Sequence, residues 1–374
     1  MFRLLHLADV HLDAPLGGFG EEADVRRGQV LDAFRAVSDI AIEASVDAVL
    51  ISGDLFDGPQ PGERTVIAVR ETVRRLLERG VDVAAVPGNH DARALNPGLY
   101  AEALDGAHVF LEPRFGEPAR FEREAGELLV YGVGYDAAEE PDPIGTFERG
   151  RSRASAAAHV VLLHGSVPGA PHWASGSSLS LAWEGLAGLD VDYIALGDLH
   201  RFRAQDELEG LPACYPGSFA AVDMTEAGPR GPVLVRLEPG STLRLERISS
   251  GVREVGAPIA INVSDCVTDL EVYEAAVRVL SPETYPSIDL EGEPAYPLDP
   301  EVIRSMLEER FGAVSLRDRS RFFEVGRLAE LSAESTIAGH VARIGLRRIE
   351  EADSPEERAA REQGLRIALR VMEV

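Results

Sequence analysis

Five short apolar runs each end in a polar cluster, and this repetition constrains the chain more than any other feature. Residues 3–8 lead into Asp9-Val10-His11, 47–52 into Gly53-Asp54, and 81–86 into Gly88-Asn89-His90-Asp91. Residues 158–163 lead into His164-Gly165, and 191–196 into Gly197-Asp198-Leu199-His200. Each run reads as a buried strand. In a layered α/β fold the carboxyl ends of neighbouring strands open onto one crevice, so the clusters are expected to converge.

The intervening segments support that architecture. Val30, Phe34, Val37, Ile40 and Ala41 recur at helical spacing between the first two runs. Val66, Val69, Val73, Leu76 and Leu77 do so between the second and third, where Gly80 offers a C-terminal cap. Strand–helix–strand alternation implies a largely parallel sheet covered by helices. From 107 to 135 short alternating runs replace the helical pattern, so a second sheet is expected, and a hairpin is expected at 232–248 around Pro239-Gly240. The predicted fold is α/β, a two-sheet β-sandwich flanked by helices across residues 1–250. A small α/β domain follows at 251–322 and a helical segment at 323–374, broken near Asp353-Ser354-Pro355.

Several classes are excluded. A chain of 374 residues exceeds what one core usually serves, and no apolar stretch reaches membrane-spanning length. The sequence enters its first strand without a signal peptide, and Cys214 and Cys266 have no ligand-like spacing, so a cytoplasmic protein with reduced thiols is expected. A net charge of −26 argues against a generally basic nucleic-acid surface, although bound metal ions would add local positive charge. All 37 basic residues are Arg, a side chain suited to bidentate phosphate contacts.

The clusters supply carboxylates, imidazoles and one amide oxygen with no thiolate, a donor set for Mn²⁺, Fe²⁺ or Zn²⁺. Asp54 is placed to bridge two ions, Asp9, His11 and His200 to hold the first, and Asn89, His164 and Asp198 the second. His90 follows a ligand but faces elsewhere and suits the phosphate or leaving-group oxygen, with Asp91 to orient it. Water activated between two ions needs no protein nucleophile, so phosphoester hydrolysis is the implied chemistry. His6, His108, His159, His172 and His340 fall outside the pattern and read as structural or surface residues.

With these motifs in place the sequence resembles the calcineurin-like metallophosphoesterases, and more narrowly the SbcD-type and YhaO-like DNA repair nucleases. The resemblance rests on HLADVHLDAP, GDLFDGPQP, VPGNHD, LLHG and the YPGSF segment at 215–219. It implies an Mn²⁺-dependent DNA exo- or endonuclease, a DNA-capping α/β domain after residue 250, and a C-terminal segment that binds an SbcC-like coiled-coil ATPase. The last motif departs from the family's Gly-His-x-His, placing Asp198 where a histidine is usual. With two divalent ions and a hydroxide, this lowers the formal charge of the centre from about +1 to about 0 and favours harder ions such as Mn²⁺.

Arg201 and Arg203, directly after the last motif, are candidate phosphate contacts, as are Arg149, Arg151 and Arg153 in a basic loop. Asp57 stands where some relatives carry a histidine, so it bears on leaving-group protonation or caps a turn. Two competing functions are a small-nucleotide phosphodiesterase or phosphatase, and a DNA-binding scaffold whose centre is weakened at Asp198. For the C-terminal faces at 337–349 and 365–371, packing onto the chain's own domains or a second copy is the alternative to a partner.

Overall fold

The computed structural model describes residues 1–58, 60–92, 97–135, 144–147, 157–167, 179–240, 243–294, 296, 298–321 and 325–372. Arg149, Arg151, Arg153 and His172 lie outside the described residues. The chain divides into two compact units, Met1–Glu254 and Val255–Val374.

The first unit holds two sheets face to face. One runs, in spatial order, Arg244–Arg247, Val233–Leu237, Phe2–Leu7, Ala48–Ser52, Asp82–Val86 and His108–Val109. The other runs Arg203–Ala204, Ala213–Tyr215, Tyr193–Gly197, Ala157–Ser166, Gly126–Gly132 and Ala119–Arg123, with Leu179–Ser180 beside Ala157–Ser166. The central strands of both sheets are parallel, as the alternating pattern predicts. The hairpin of Val233–Leu237 and Arg244–Arg247 returns antiparallel against Phe2–Leu7.

Period-two alternation explains why the strands read as unbroken apolar runs: each buries both faces. Leu4, Leu50 and Val86 pack in one core with Val130, Val160 and Ala195 of the facing sheet. Leu5, Leu7, Ile51 and Val83 face the other way, against Phe34 and Val37 of the helix Ala23–Glu43 and Val69, Val73 and Leu76 of Glu63–Glu78. Leu163 and Leu196, on the outer face of the second sheet, meet Leu186 of the short helix Trp183–Gly188. Truncating such a side chain costs about 2–5 kcal/mol, so this layering holds the strand ends in fixed register.

The second unit contains a parallel sheet of Ile259–Asn262, Ser287–Glu291 and Ser315–Asp318, joined by the helices Asp269–Val277 and Pro300–Phe311. Asp299 caps the second of these helices by accepting from the Glu301 and Val302 N–H groups, with Pro300 beginning its first turn. Three further helices, Val325–Ala333, Ile337–Glu350 and Pro355–Val371, bury Leu328, Ala342, Ile349, Leu365 and Leu369 among themselves. The break between the last two is a reciprocal cap: Ser354 Oγ accepts from the Glu357 N–H, and Glu357 accepts from the Asp353 N–H. No described helix is long and apolar enough to cross a membrane.

Candidate metal centre

The glycines of the sequence motifs are there because the neighbouring strand ends leave no room for a Cβ. One built on Gly53 would strike the His164 ring, one on Gly88 would stand 2.6 Å from the Asp54 nitrogen, and one on Gly197 would stand 2.8 Å from His164 Nδ1. Asp9, His11 and Asp54 have φ near +49°, and Asp198 has φ 101°, conformations that L-residues adopt at a cost of about 1–3 kcal/mol. The backbone sustains this strain by cross-bonding. The Asp9 N–H donates to the Gly53 carbonyl, those of Val10 and His11 to the Asp54 carbonyl, and that of Asp198 to the Asp9 carboxylate.

The side chains converge. Donor atoms of Asp9, His11 and His200 lie within 4.8 Å of one another, as do those of Asp9, Asp54 and His164. Asp54 Oδ2 is 3.7 Å from His11 Nε2 and 3.4 Å from His164 Nε2, between the two groups. Asn89 Oδ1 lies 3.0 Å from His164 Nε2. Asp198 stands at the margin, with Oδ1 3.8 Å from His164 Nε2 and Oδ2 accepting from Ser166 Oγ. Asp9, Asp54, His164, Asn89 and His11 are buried, whereas His90, His200 and Asp57 are partly open.

Each inward-facing imidazole is fixed from behind by an oxygen. His164 Nδ1 donates to the Ser52 carbonyl at 2.9 Å, His11 Nδ1 to the Asp57 carboxylate at 2.9 Å, and His200 Nδ1 to Glu226 at 2.6 Å. Those oxygens only accept, so each Nδ1 carries a hydrogen, and each Nε2 presents a lone pair once its ring has given up the second proton. His11 Nε2 and His200 Nε2 then face each other at 3.0 Å, and His164 Nε2 faces the Asn89 oxygen at 3.0 Å. Two opposed acceptors repel unless a proton or cation is shared between them. The residues therefore fit a cation at each pair.

The electrostatics agree. Burial alone would raise the Asp54 carboxyl, but His164, His11 and His90 hold it well below the usual carboxylate range. Burial opposes protonation of His164, yet Asp54, Asp9 and Asp198 carry it well above the ordinary imidazole value. His200 is pushed up to about 9, burial working against the shift and Glu226 and Asp9 outweighing it. The protein's own groups thus create a field that draws positive charge onto the imidazoles, and bound divalent ions would supply it instead.

Two expectations need correction in detail. Asp91 does not orient His90: its buried carboxylate accepts from the backbone N–H groups of Leu55, Phe56 and Gly88, tying the Asp54 loop to the Gly88 loop. Burial and the nearby Asp54 raise its carboxyl to about 7 against those three bonds. His90 is instead held through Nδ1 by the Asp57 carbonyl at 3.0 Å, while the Asp57 carboxylate takes His11. A carboxylate three residues after Asp54 is the only signal that could have suggested this. The Arg201 and Arg203 guanidinium groups both approach Glu207 at 3.9 Å rather than the centre; Arg201 is 74% exposed. His6 is neutral and structural, bonded to Tyr193 and Ser52, with burial lowering it to about 3.

The calcineurin-like phosphoesterase family profile matches residues 2–202, and the chain belongs to that family of metal-dependent phosphoesterases. It is 27% identical over 240 residues to the metallophosphoesterase YhaO of Bacillus subtilis, which covers 63% of this chain and 57% of that protein. It is 31% identical over 254 residues to the DNA double-strand break repair protein Mre11 of Aeropyrum pernix, covering 63% of this chain and 58% of that one. The chain thus spans less than two thirds of the length of these relatives. A solved dimetal phosphatase from Danio rerio aligns over 67% of this chain and 96% of its own, at 14% identity and a TM-score of 0.39.

Proposed function

We propose that the chain is a DNA repair nuclease that hydrolyses phosphodiester bonds with two divalent ions, Mn²⁺ in preference to Fe²⁺ or Zn²⁺. The observation that carries this reading is the convergence of His11 with His200 and of His164 with Asn89, each pair 3.0 Å apart, on either side of Asp54. Likeness to an Mre11 repair protein over 63% of the chain supports DNA as the substrate class. In this reading Asp9, His11 and His200 would hold one ion and Asn89, His164 and Asp198 the other, with the Asp54 carboxylate, between the two groups, available to both. The ions, when bound, supply the Lewis acidity that activates water and polarises the phosphodiester.

The remaining roles fall to the chain's own groups. His90 has Nδ1 committed to the Asp57 carbonyl, which leaves Nε2 for the phosphate or leaving-group oxygen. Asp91 keeps the Asn89-His90 turn and the Asp54 loop in register. Arg201, exposed beside the last motif, reaches backbone phosphates more readily than Arg203, whose side chain is largely buried. A third carboxylate at Asp198 makes the donor set harder, which favours Mn²⁺ over Zn²⁺. Residues 251–322 serve as the capping, DNA-binding domain. The segment 323–374, with Ile337, Ile344 and Ile367 exposed, docks onto an SbcC-like ATPase in the cytoplasm.

Incubating the purified chain with DNA of defined ends, with and without Mn²⁺, tests the reading. Mn²⁺-stimulated degradation that chelation abolishes is expected. Hydrolysis of a small phosphodiester with none of DNA would favour a small-nucleotide enzyme, and DNA binding with neither activity a scaffold.

A further inference from the structure

The carboxylate behind His200 is Glu226, which lies outside every sequence motif and beyond the family match at residue 202. After Ala213–Tyr215 the chain passes Gly217, whose φ of +81° and close approach to the His200 carbonyl and Phe202 nitrogen exclude a side chain. The Ser218 N–H then donates to the His200 carbonyl and the Phe219 N–H to the Asp9 carbonyl, both at 3.1 Å. The segment is thereby stitched to two candidate ligands through their backbones.

Glu226 closes this loop. Its Oε2 accepts from Ser218 Oγ at 2.8 Å and from the Val222 N–H at 3.1 Å. Its Oε1 accepts from His200 Nδ1 at 2.6 Å. Arg230 donates to the His200 carbonyl and to Ser218 Oγ, and its guanidinium is 3.9 Å from Glu226. One carboxylate oxygen is therefore spent on holding the turn, and the other is left pointing at an imidazole. A glutamate that merely capped the turn would not need that second contact. A short, charge-assisted bond to Nδ1 fixes the tautomer and ring orientation and makes Nε2 a stronger donor to a cation.

We infer that Glu226 is a positioning residue of the metal centre, holding His200 so that the ion on the Asp9 side binds more tightly than it would to an unsupported imidazole. The inference rests on the two-ion reading above. Ser218 and Arg230 act one step further out by holding Glu226 and the His200 backbone.

The test is a titration of the full chain with Mn²⁺ alone, counting bound ions by the loss of the free-ion electron paramagnetic resonance signal. Wild type is expected to bind two ions. Glu226→Ala should lose roughly 10–100-fold in affinity for one of them and leave the other unchanged. Glu226→Gln keeps the size and an acceptor oxygen but not the charge, so a several-fold loss at the same ion is expected, with metal-free thermal stability near that of wild type. It also serves if Glu226→Ala does not fold. Wild-type affinity in Glu226→Gln, or equal weakening of both ions in either variant, would overturn the inference. Wild type that binds no Mn²⁺ would remove the two-ion reading and this inference together.

Discussion

Gly88→Ala is the most informative single-methyl change, because Gly88 is not itself a ligand. Its added Cβ would lie 2.6 Å from the Asp54 nitrogen and nearer still to Asp54 Oδ1, where ordinary contact begins at 3.4 Å. Restoring the contact with the nitrogen alone moves one loop by roughly 0.8 Å, and overpacking of this kind costs about 1–3 kcal/mol. The loop carrying Gly88 also donates to Asp91, so relaxation away from Asp54 strains the tie between the two loops. A misplacement approaching 1 Å at a reacting centre costs on the order of 100-fold in rate. The variant should therefore melt lower, bind Mn²⁺ more weakly and hydrolyse its substrate on the order of 100-fold more slowly. Gly28→Ala is the control: nothing lies within 4 Å of its Cβ in the helix Ala23–Glu43, so it should stabilise by about 0.5–1 kcal/mol and leave activity alone. Paired denaturation curves and rates would decide, and a Gly88→Ala protein with wild-type stability and rate would refute the packing argument.

Further outcomes follow from the same geometry. His90→Ala should abolish hydrolysis with metal content almost unchanged, since its ring is held by Asp57 and is placed for substrate; loss of metal by elemental analysis would reassign it as a ligand. Asp54→Ala should instead empty at least one ion site, read the same way. Asp91→Ala strands three buried N–H donors at about 1–3 kcal/mol each, so chemical denaturation should show a protein close to its unfolding limit. Adding Mn²⁺ at a hundred times its Kd should stabilise the chain by about 2.7 kcal/mol for each ion bound, a rise in Tm that chelator reverses. Truncation before Val325 should keep metal binding and eliminate capture of an SbcC-like partner; undiminished affinity in a pull-down would disprove that role for the segment.

The strands were legible because each buries both faces, which leaves an apolar run that a single sequence displays. The ligands were legible because each follows such a run and because Gly53, Gly88 and Gly197 occupy positions where a Cβ collides with a neighbouring loop. The groups behind the ligands were not. Glu226 lies 26 residues after His200 and well past the short strand Ala213–Tyr215, and only the folded path of residues 213–230 brings it to Nδ1. Asp91 looked like the natural partner of His90 by adjacency. On the first turn of the short helix Asn89–Ala92, though, its carboxylate turns back to the Leu55 and Phe56 backbone, and Asp57 supplies the contact instead. The pairing of Val233–Leu237 with Phe2–Leu7 was equally hidden, since period-two patterns mark strands but not their partners across 230 residues.

The central claim is that the chain holds two divalent ions about Asp54. Anomalous scattering from crystals soaked in Mn²⁺ tests it most directly. Two peaks roughly 3.5–4 Å apart are predicted, one beside Asp9, His11 and His200 and one beside Asn89 and His164, with Asp54 between them. A single peak on the Asp9 side would show that Asp198 fails as a ligand, and the absence of any peak near Asp54 would contradict the account.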